Sequence, residues 1–486
     1  MKFDTIVIGS GISGLTAALL LSRYNREVAI IEKSPQISPL ISRFKRNGIW
    51  CDPGFHYSGG LNSGGQLNII FRFLGLENDI KPVPLNPDCF DTIIIDSKAY
   101  SIPYGIDRVK DYLCKRFSKN SKAVNNYLKI LKRIVSTNPL MNIKDFNVEE
   151  NNLNETSWEQ INLKEQMIKI GAGEDFIKLA GIHSDFLCGS GENDIPLDLF
   201  AYIIYPFYQF TGSLKEGGDS LVRAFTAKLK EKGVPIFLDS KVTRILSNSH
   251  KQITGIQLEN GEIIQCNACI STIHPMILLN LLPKEQIRPV YIHRIKQLEN
   301  TFSPFVVFFD TTEIPSPLAN SNYFIINEKE KKGKYAFLSP VCKKDFNNKK
   351  SLTAVKHCDL SLFKDFIEKN DKINKSKYSE LKERLTSEIT EYLLEHFPEL
   401  KGKIRILETA TPVTYYRHTG TYLGSAYGVK QSTRYGRIDY NGRMKGLFLA
   451  GQSLIPGIMG AIMSSLIAVF PMIPSKTLLK ELKSCI

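Results

Sequence analysis

The first 32 residues confine this chain to a narrow set of folds. Phe3-Asp4-Thr5-Ile6-Val7-Ile8 is a short apolar run with β-branched residues, as a buried parallel strand requires. Gly9-Ser10-Gly11-Ile12-Ser13-Gly14 follows at once, and an Ala- and Leu-rich helical stretch runs from Leu15 to Tyr24. Val28-Ala29-Ile30-Ile31 reads as a second strand, with Glu32 at its end. The spacing gives each part a job. Gly9 makes a tight turn, Gly11 lets backbone approach a pyrophosphate, and Gly14 lets the helix pack on the strand. The helix N-terminus offers unpaired N–H groups and a positive dipole to phosphate. Glu32 stands where an acid binds ribose hydroxyls. This is a dinucleotide-binding unit, and the fold class it predicts is α/β.

Two further blocks narrow the dinucleotide. Phe44-Lys45-Arg46-Asn47-Gly48-Ile49-Trp50-Cys51 reads as a hairpin closed by Asp52-Pro53-Gly54, with His56-Tyr57 and Gly59-Gly60 beyond. Near the C-terminus, Gly446-Leu447-Phe448-Leu449-Ala450-Gly451 reads as strand and turn, followed by Pro456-Gly457-Ile458-Met459-Gly460-Ala461 and an apolar helix to about Phe470. Between them lie a helix after Gly217-Gly218, a strand at Pro235–Leu238, a hairpin around Asn260-Gly261 suited to a type I′ turn, and a strand ending near His274-Pro275. In content, order and spacing these blocks resemble the phytoene desaturase, carotenoid isomerase and retinol saturase superfamily of flavoproteins, and His56-Tyr57 resembles its retinol saturase and isomerase branch most.

That resemblance implies a discontinuous Rossmann-type FAD-binding domain, at 1–75, 215–290 and 405–486, with an inserted α+β substrate domain at 76–214 and 291–404 that contains an antiparallel sheet. It implies cofactor contacts at Gly9, Gly11, Ser13, Gly14, Glu32, Lys33, Arg43, His56, Val242, Gly451, Gly460 and Ala461. It places Thr411–Arg417 as a strand near the flavin, and Tyr427, His56 and Tyr416 as ring contacts or proton donors. There is one departure. Ile37-Ser38-Pro39-Leu40 stands where the family carries a Gly-Gly pair, and proline donates no N–H. Arg43 could supply compensating charge, or it could be an ordinary surface arginine.

Composition sets the remaining bounds. A chain of 486 residues, 43% hydrophobic, can bury a large core and suggests two domains. The first apolar run is a strand rather than a signal peptide, and the nine cysteines show no disulfide spacing, which predicts a cytoplasmic protein. Cys266 and Cys269 lie on a predicted strand, where residues three apart face opposite sides. The eight histidines form no metal-ligand spacing, so no metal is expected. The net charge of +14 comes without a nucleic-acid recognition motif. Lysine-rich loops at Lys329–Lys334 and Lys369–Lys372 read as solvated surface. Val124, Tyr127, Leu128, Leu131, Ile134 and Val135 make one helical face beside Lys129, Lys132 and Arg133. Such a helix could lie on anionic lipid or pack on its own domain, and the second reading has the advantage. The uncharged run from Gly446 to Ser475 is broken by Gly451, Pro456, Gly457 and Gly460 and is not expected to span a membrane.

The leading expectation is an FAD-dependent oxidoreductase that desaturates, saturates or isomerises C–C double bonds of a hydrophobic polyene or isoprenoid, with NAD(P)H as a possible electron donor. Tyr202, Tyr205, Phe207, Tyr208 and Phe210 suit either the wall of an apolar substrate site or a packed core. A flavin amine oxidase and a non-catalytic flavin-bound lipid carrier are the alternatives. The sequence carries no sign of oligomeric state.

Overall fold

The computed structural model describes residues 1–145, 158–327, 333–338, 350–359, 361–368 and 374–486. The lysine-rich loop at 369–372 and most of the loop at 329–334 lie outside them.

Two seven-stranded sheets organise the chain. In the first, Lys2–Ile8 lies between Val28–Ile31 and Ile263–Ser271, parallel to both, and Ile236–Phe237 extends the parallel edge. The other edge of Ile263–Ser271 is shared: antiparallel Ile253–Leu258 takes its start and parallel Leu447–Leu449 its end. Helix Ile12–Arg23 is buried from Ile12 through Leu21, which explains its Ala and Leu content, and it packs between helices Gly218–Glu231 and Gly457–Val469. Three distant parts of the chain therefore build one dinucleotide-type layer.

The second sheet runs in the order 404–410, 303–311, 350–358, 333–338, 322–327, 91–95, 98–102. All its pairings are antiparallel except that of Asn322–Asn327 with Asp91–Ile95. Four of its seven strands come from the 291–404 insertion; Asp91–Ile95 and Lys98–Ile102 come from the 76–214 insertion, and Ile404–Ala410 closes one edge. The strand Ile404–Ala410 belongs here and not to the dinucleotide layer, so the chain returns to that layer only after residue 410. Helix Lys375–His396 packs on one face through Leu385, Ile389, Tyr392 and Leu393.

Several local expectations change. The hairpin at Asn260-Gly261 is a type I turn with a glycine bulge: Gly261 N–H donates to the Leu258 carbonyl, Leu258 N–H donates to that of Glu262, and only Gly261 has positive φ, at 87°. Thr411–Arg417 is not a strand; Pro412–Thr419 is a helix, started by a capping box between Thr411 and Thr414. Cys266 and Cys269 do not diverge: their sulfurs are 3.5 Å apart in the core. The apolar face of helix Ser121–Thr137 is buried against its own domain, chiefly helix Leu197–Gln209, while Lys129, Lys132 and Arg133 are exposed. Among the described residues, no helix is long and apolar enough to cross a membrane.

Candidate active site

A cavity of about 640 Å³ runs from the glycine turn, between the two sheets, to the helices of the inserted domain. At its first end, Gly9 turns with φ 103° and Gly14 packs the helix so closely that a Cβ there would lie 1.9 Å from the Gly9 carbonyl oxygen. Gly11 differs from both. Its φ is −59°, and a Cβ on it would meet nothing within 4 Å, because it faces the cavity. No side chain caps the helix that starts after it, and its first turn holds no acid. The N-terminus of Gly457–Val469 likewise has no side-chain cap, and Gly457, Gly460 and Ala461 line the cavity. Ser13 lines it too, and its hydroxyl donates to the Ala461 carbonyl at 3.1 Å.

Glu32 is oriented rather than merely present. Its Oε2 accepts from the Ser10 N–H and hydroxyl, at 2.7 and 2.8 Å, and its Oε1 accepts from Ser34 N–H at 2.8 Å. Ser10 escaped the sequence reading, since a serine between two glycines carries no spacing signal of its own. Its oxygen also accepts from Ser38 N–H at 3.0 Å. Ser38 adopts the left-handed φ of 51° natural to glycine, so the departure from a Gly-Gly pair keeps a glycine-like conformation there. Ser10→Ala would strand the buried Ser38 N–H, at a cost of about 1–3 kcal/mol, and would loosen Glu32. Denaturant melts with and without FAD would register both losses; unchanged stability and FAD affinity would reject the assigned role.

Lys33, Val242, Gly451 and His56 face the cavity. Burial pushes the His56 imidazole down to about 4, so it is neutral at pH 7. Arg43 does not face it. Its guanidinium pairs with Asp219 at 3.0 Å and lies over Trp50, so the compensating-charge role passes to a structural ion pair. Tyr427 lines the cavity, but its hydroxyl donates to the Phe186 carbonyl at 3.1 Å. Burial raises its pKa, and its only proton is already engaged. Tyr416 lies outside, packed on the second sheet's core, and Tyr415 takes the cavity face instead, its hydroxyl donating to the Pro53 carbonyl at 2.9 Å. The exchange follows from the helix: neighbours there point about 100° apart.

Toward the inserted domain the wall becomes apolar: Leu199, Ile203, Phe207, Phe324, Val306 and Leu338. Tyr202 and Phe207 from the expected aromatic group reach it, whereas Tyr208 is buried with its hydroxyl 3.2 Å from that of Tyr127. Tyr57 also reaches the wall, and its hydroxyl donates to the buried Asp91 at 2.9 Å. Among the described lining residues Glu32 is the one carboxylate.

An open glycine turn, two uncapped helix starts and an oriented acid fit a flavin dinucleotide, with the apolar chamber beyond. Known proteins agree. The family model for flavin-containing amine oxidoreductases matches residues 12–469. The all-trans-retinol 13,14-reductase of Danio rerio is 24% identical, over 95% of this chain and 84% of its own. A 4,4'-diaponeurosporene oxygenase of Staphylococcus aureus is 21% identical, over 67% of this chain and 66% of its own. Among solved structures, an oxidoreductase from Methanosarcina mazei has the same fold, with a TM-score of 0.65 at 18% identity, covering 96% of this chain and all of the other.

Proposed function

From its membership of the flavin-containing amine oxidoreductase family, we propose that this chain uses FAD to act on a C–C double bond of a hydrophobic polyene or isoprenoid. One observation carries the substrate reading: the chamber that continues from the dinucleotide cradle is mainly apolar and, among the described residues, has no carboxylate of its own. Among the described lining residues an ammonium substrate would find no counter-ion there, which disfavours the amine oxidase alternative. A retinol reductase and a carotenoid-modifying oxygenase among its relatives support the same reading.

FAD supplies two-electron redox chemistry at its ring. The chain does the rest. Backbone N–H groups at Gly11 and at Gly457 are available to phosphate and ring, and Glu32 to ribose hydroxyls. The apolar wall excludes water and aligns an extended substrate. His56 and Tyr57 bring polar groups to the cavity from the segment 53–58, and Tyr427 is held by the Phe186 carbonyl. We propose NAD(P)H as the donor to be tried first. Purified protein incubated with all-trans-retinol and NAD(P)H, under reducing conditions, should convert it. Mass spectrometry then reads two hydrogens gained for saturation and an unchanged mass with a new retention time for isomerisation; a parallel incubation without NAD(P)H and with a quinone as electron acceptor tests desaturation, read as two hydrogens lost. Peroxide released with amines, and no polyene turnover, would reverse the assignment.

We also propose a cytoplasmic protein that meets the inner face of the membrane peripherally, supported by the basic net charge and by the free thiols among the described cysteines. Because the apolar face of helix Ser121–Thr137 is already buried, docking by Lys129, Lys132 and Arg133 is purely electrostatic. Attraction is worth about 1 kcal/mol per basic residue and is screened by salt. Cosedimentation with anionic vesicles should vanish at high salt and fall in K129E/K132E. Salt-resistant binding would point to an apolar contact elsewhere.

A further inference from the structure

The face that the second sheet turns toward the cavity follows strand alternation closely. Pro304 and Val306, Ala336 and Leu338, and Val355 and His357 are each two residues apart on their strands, and all six line the cavity. In register, Val306 faces Val355 and Pro304 faces His357. Five of these six positions are apolar, as a greasy wall demands. The sixth is an imidazole.

His357 is held without being satisfied. Its side chain is only 9% exposed, stacked on Phe302 and met edge-on by Phe186. Among the described residues neither ring nitrogen makes a protein hydrogen bond. Its nearest ionic neighbour is Asp185, whose Oδ2 is 3.9 Å from Nδ1, beyond hydrogen-bond reach, and is itself paired with Lys334. A polar nitrogen that opens on an apolar cavity and has no protein partner is available to a ligand group there. Burial and Lys334 push the imidazole well below its ordinary pKa, so the ring is neutral, with one donor and one acceptor nitrogen. The carboxylate near Nδ1 favours the proton on that nitrogen. Nε2 is then the acceptor left for the cavity.

We propose that His357 is a specificity residue, and that its Nε2 accepts a hydrogen bond from a hydroxyl group on the substrate, so that the chamber selects a polyene alcohol over the corresponding hydrocarbon or carbonyl compound. Asp185 acts through His357 as a positioning residue that fixes its tautomer. The proposal rests on the polyene reading of the same chamber and adds to it the group that is recognised and the residue that recognises it.

The test is a set of binding affinities measured on the flavin-loaded protein by equilibrium ultrafiltration with chromatographic detection. The probes are all-trans-retinol, its aldehyde, and the same polyene ending in a methyl group. Wild type should hold the alcohol on the order of tenfold more tightly than either of the others, the equivalent of one neutral hydrogen bond. His357→Phe keeps the stack on Phe302 and should erase the preference, lowering alcohol affinity about tenfold while leaving the methyl-ended polyene bound as before. His357→Gln retains an acceptor and should restore part of it. Flavin absorbance reports whether each variant is folded, and the wild-type ranking stands even if a variant is not. Equal affinity for alcohol and hydrocarbon in wild type overturns the proposal, and so does an equal loss of both in His357→Phe. If wild type retains no polyene at all while its flavin is intact, the polyene reading fails, and this inference with it.

Discussion

A Gly11→Val variant is expected to purify folded but colourless. Gly11 has φ −59°, which valine tolerates, and a Cβ there meets no protein atom within 4 Å. The new side chain would instead stand in the opening over which the pyrophosphate must approach the helix start. Displacing two charge-assisted hydrogen bonds of about 1.5 kcal/mol each would weaken FAD binding on the order of a hundredfold. Thermal melting without FAD should match wild-type apoprotein, and the rise on adding FAD should disappear. Gly14→Val is the contrast. Its Cβ would lie 1.9 Å from the Gly9 carbonyl oxygen, so strand and helix must separate. Overpacking of this kind should cost roughly 3 kcal/mol of folding stability whether or not FAD is present. If both variants lose only FAD, or both unfold, the division of labour between the two glycines is wrong.

Asp91→Ala should be among the most damaging single changes in the inserted domain. Asp91 is fully buried. Its Oδ2 accepts from the Tyr57 hydroxyl and meets His183 Nε2, both at 2.9 Å, and its Oδ1 accepts from Asn322 at 3.0 Å. Alanine would leave three partners in a nearly dry interior, and breaking such a cluster costs about 3–5 kcal/mol. The loss should reach the chamber, because Tyr57 forms part of its wall and burial beside Asp91 already holds the phenol well above its ordinary pKa. Denaturant unfolding gives the direct measure. Asp91→Asn keeps the size and some of the hydrogen bonds and should fall between. A midpoint for Asp91→Ala equal to wild type would show that the cluster contributes nothing.

These variants divide residues that the sequence announces from residues that it hides. Gly9, Gly11, Gly14 and Glu32 were legible because a tight turn, an open approach, a packed helix and an acid at the end of the second strand each follow from a residue type at a set spacing along one continuous segment. The four strands of the second sheet that lie within 291–404 were legible for a similar reason, since buried strands are apolar runs whatever they pair with; Asp91–Ile95, Lys98–Ile102 and Ile404–Ala410 were not foreseen. The hairpin at Asn260-Gly261 was half legible. The pair marks a turn, but whether one or both residues take positive φ depends on how the flanking strands join, and here only Gly261 does.

The sequence by itself thus determined the βαβ unit, the separated blocks that complete its sheet, and four apolar strands of the inserted domain, because propensity, periodicity and turn chemistry act between near neighbours. Tertiary structure alone decided what those elements would bring together. It turned Tyr415 inward and Tyr416 outward, since the phase of a helix is set by what the helix packs on. It tied Arg43 to Asp219 and Asp91 to Tyr57, His183 and Asn322, pairings that join segments remote in the chain. It brought Cys266 and Cys269 together within one strand. It also left His357 with no hydrogen-bond partner among the described residues of an apolar wall, and no spacing rule could signal that. Whether a buried polar group is satisfied depends on every segment that folds around it.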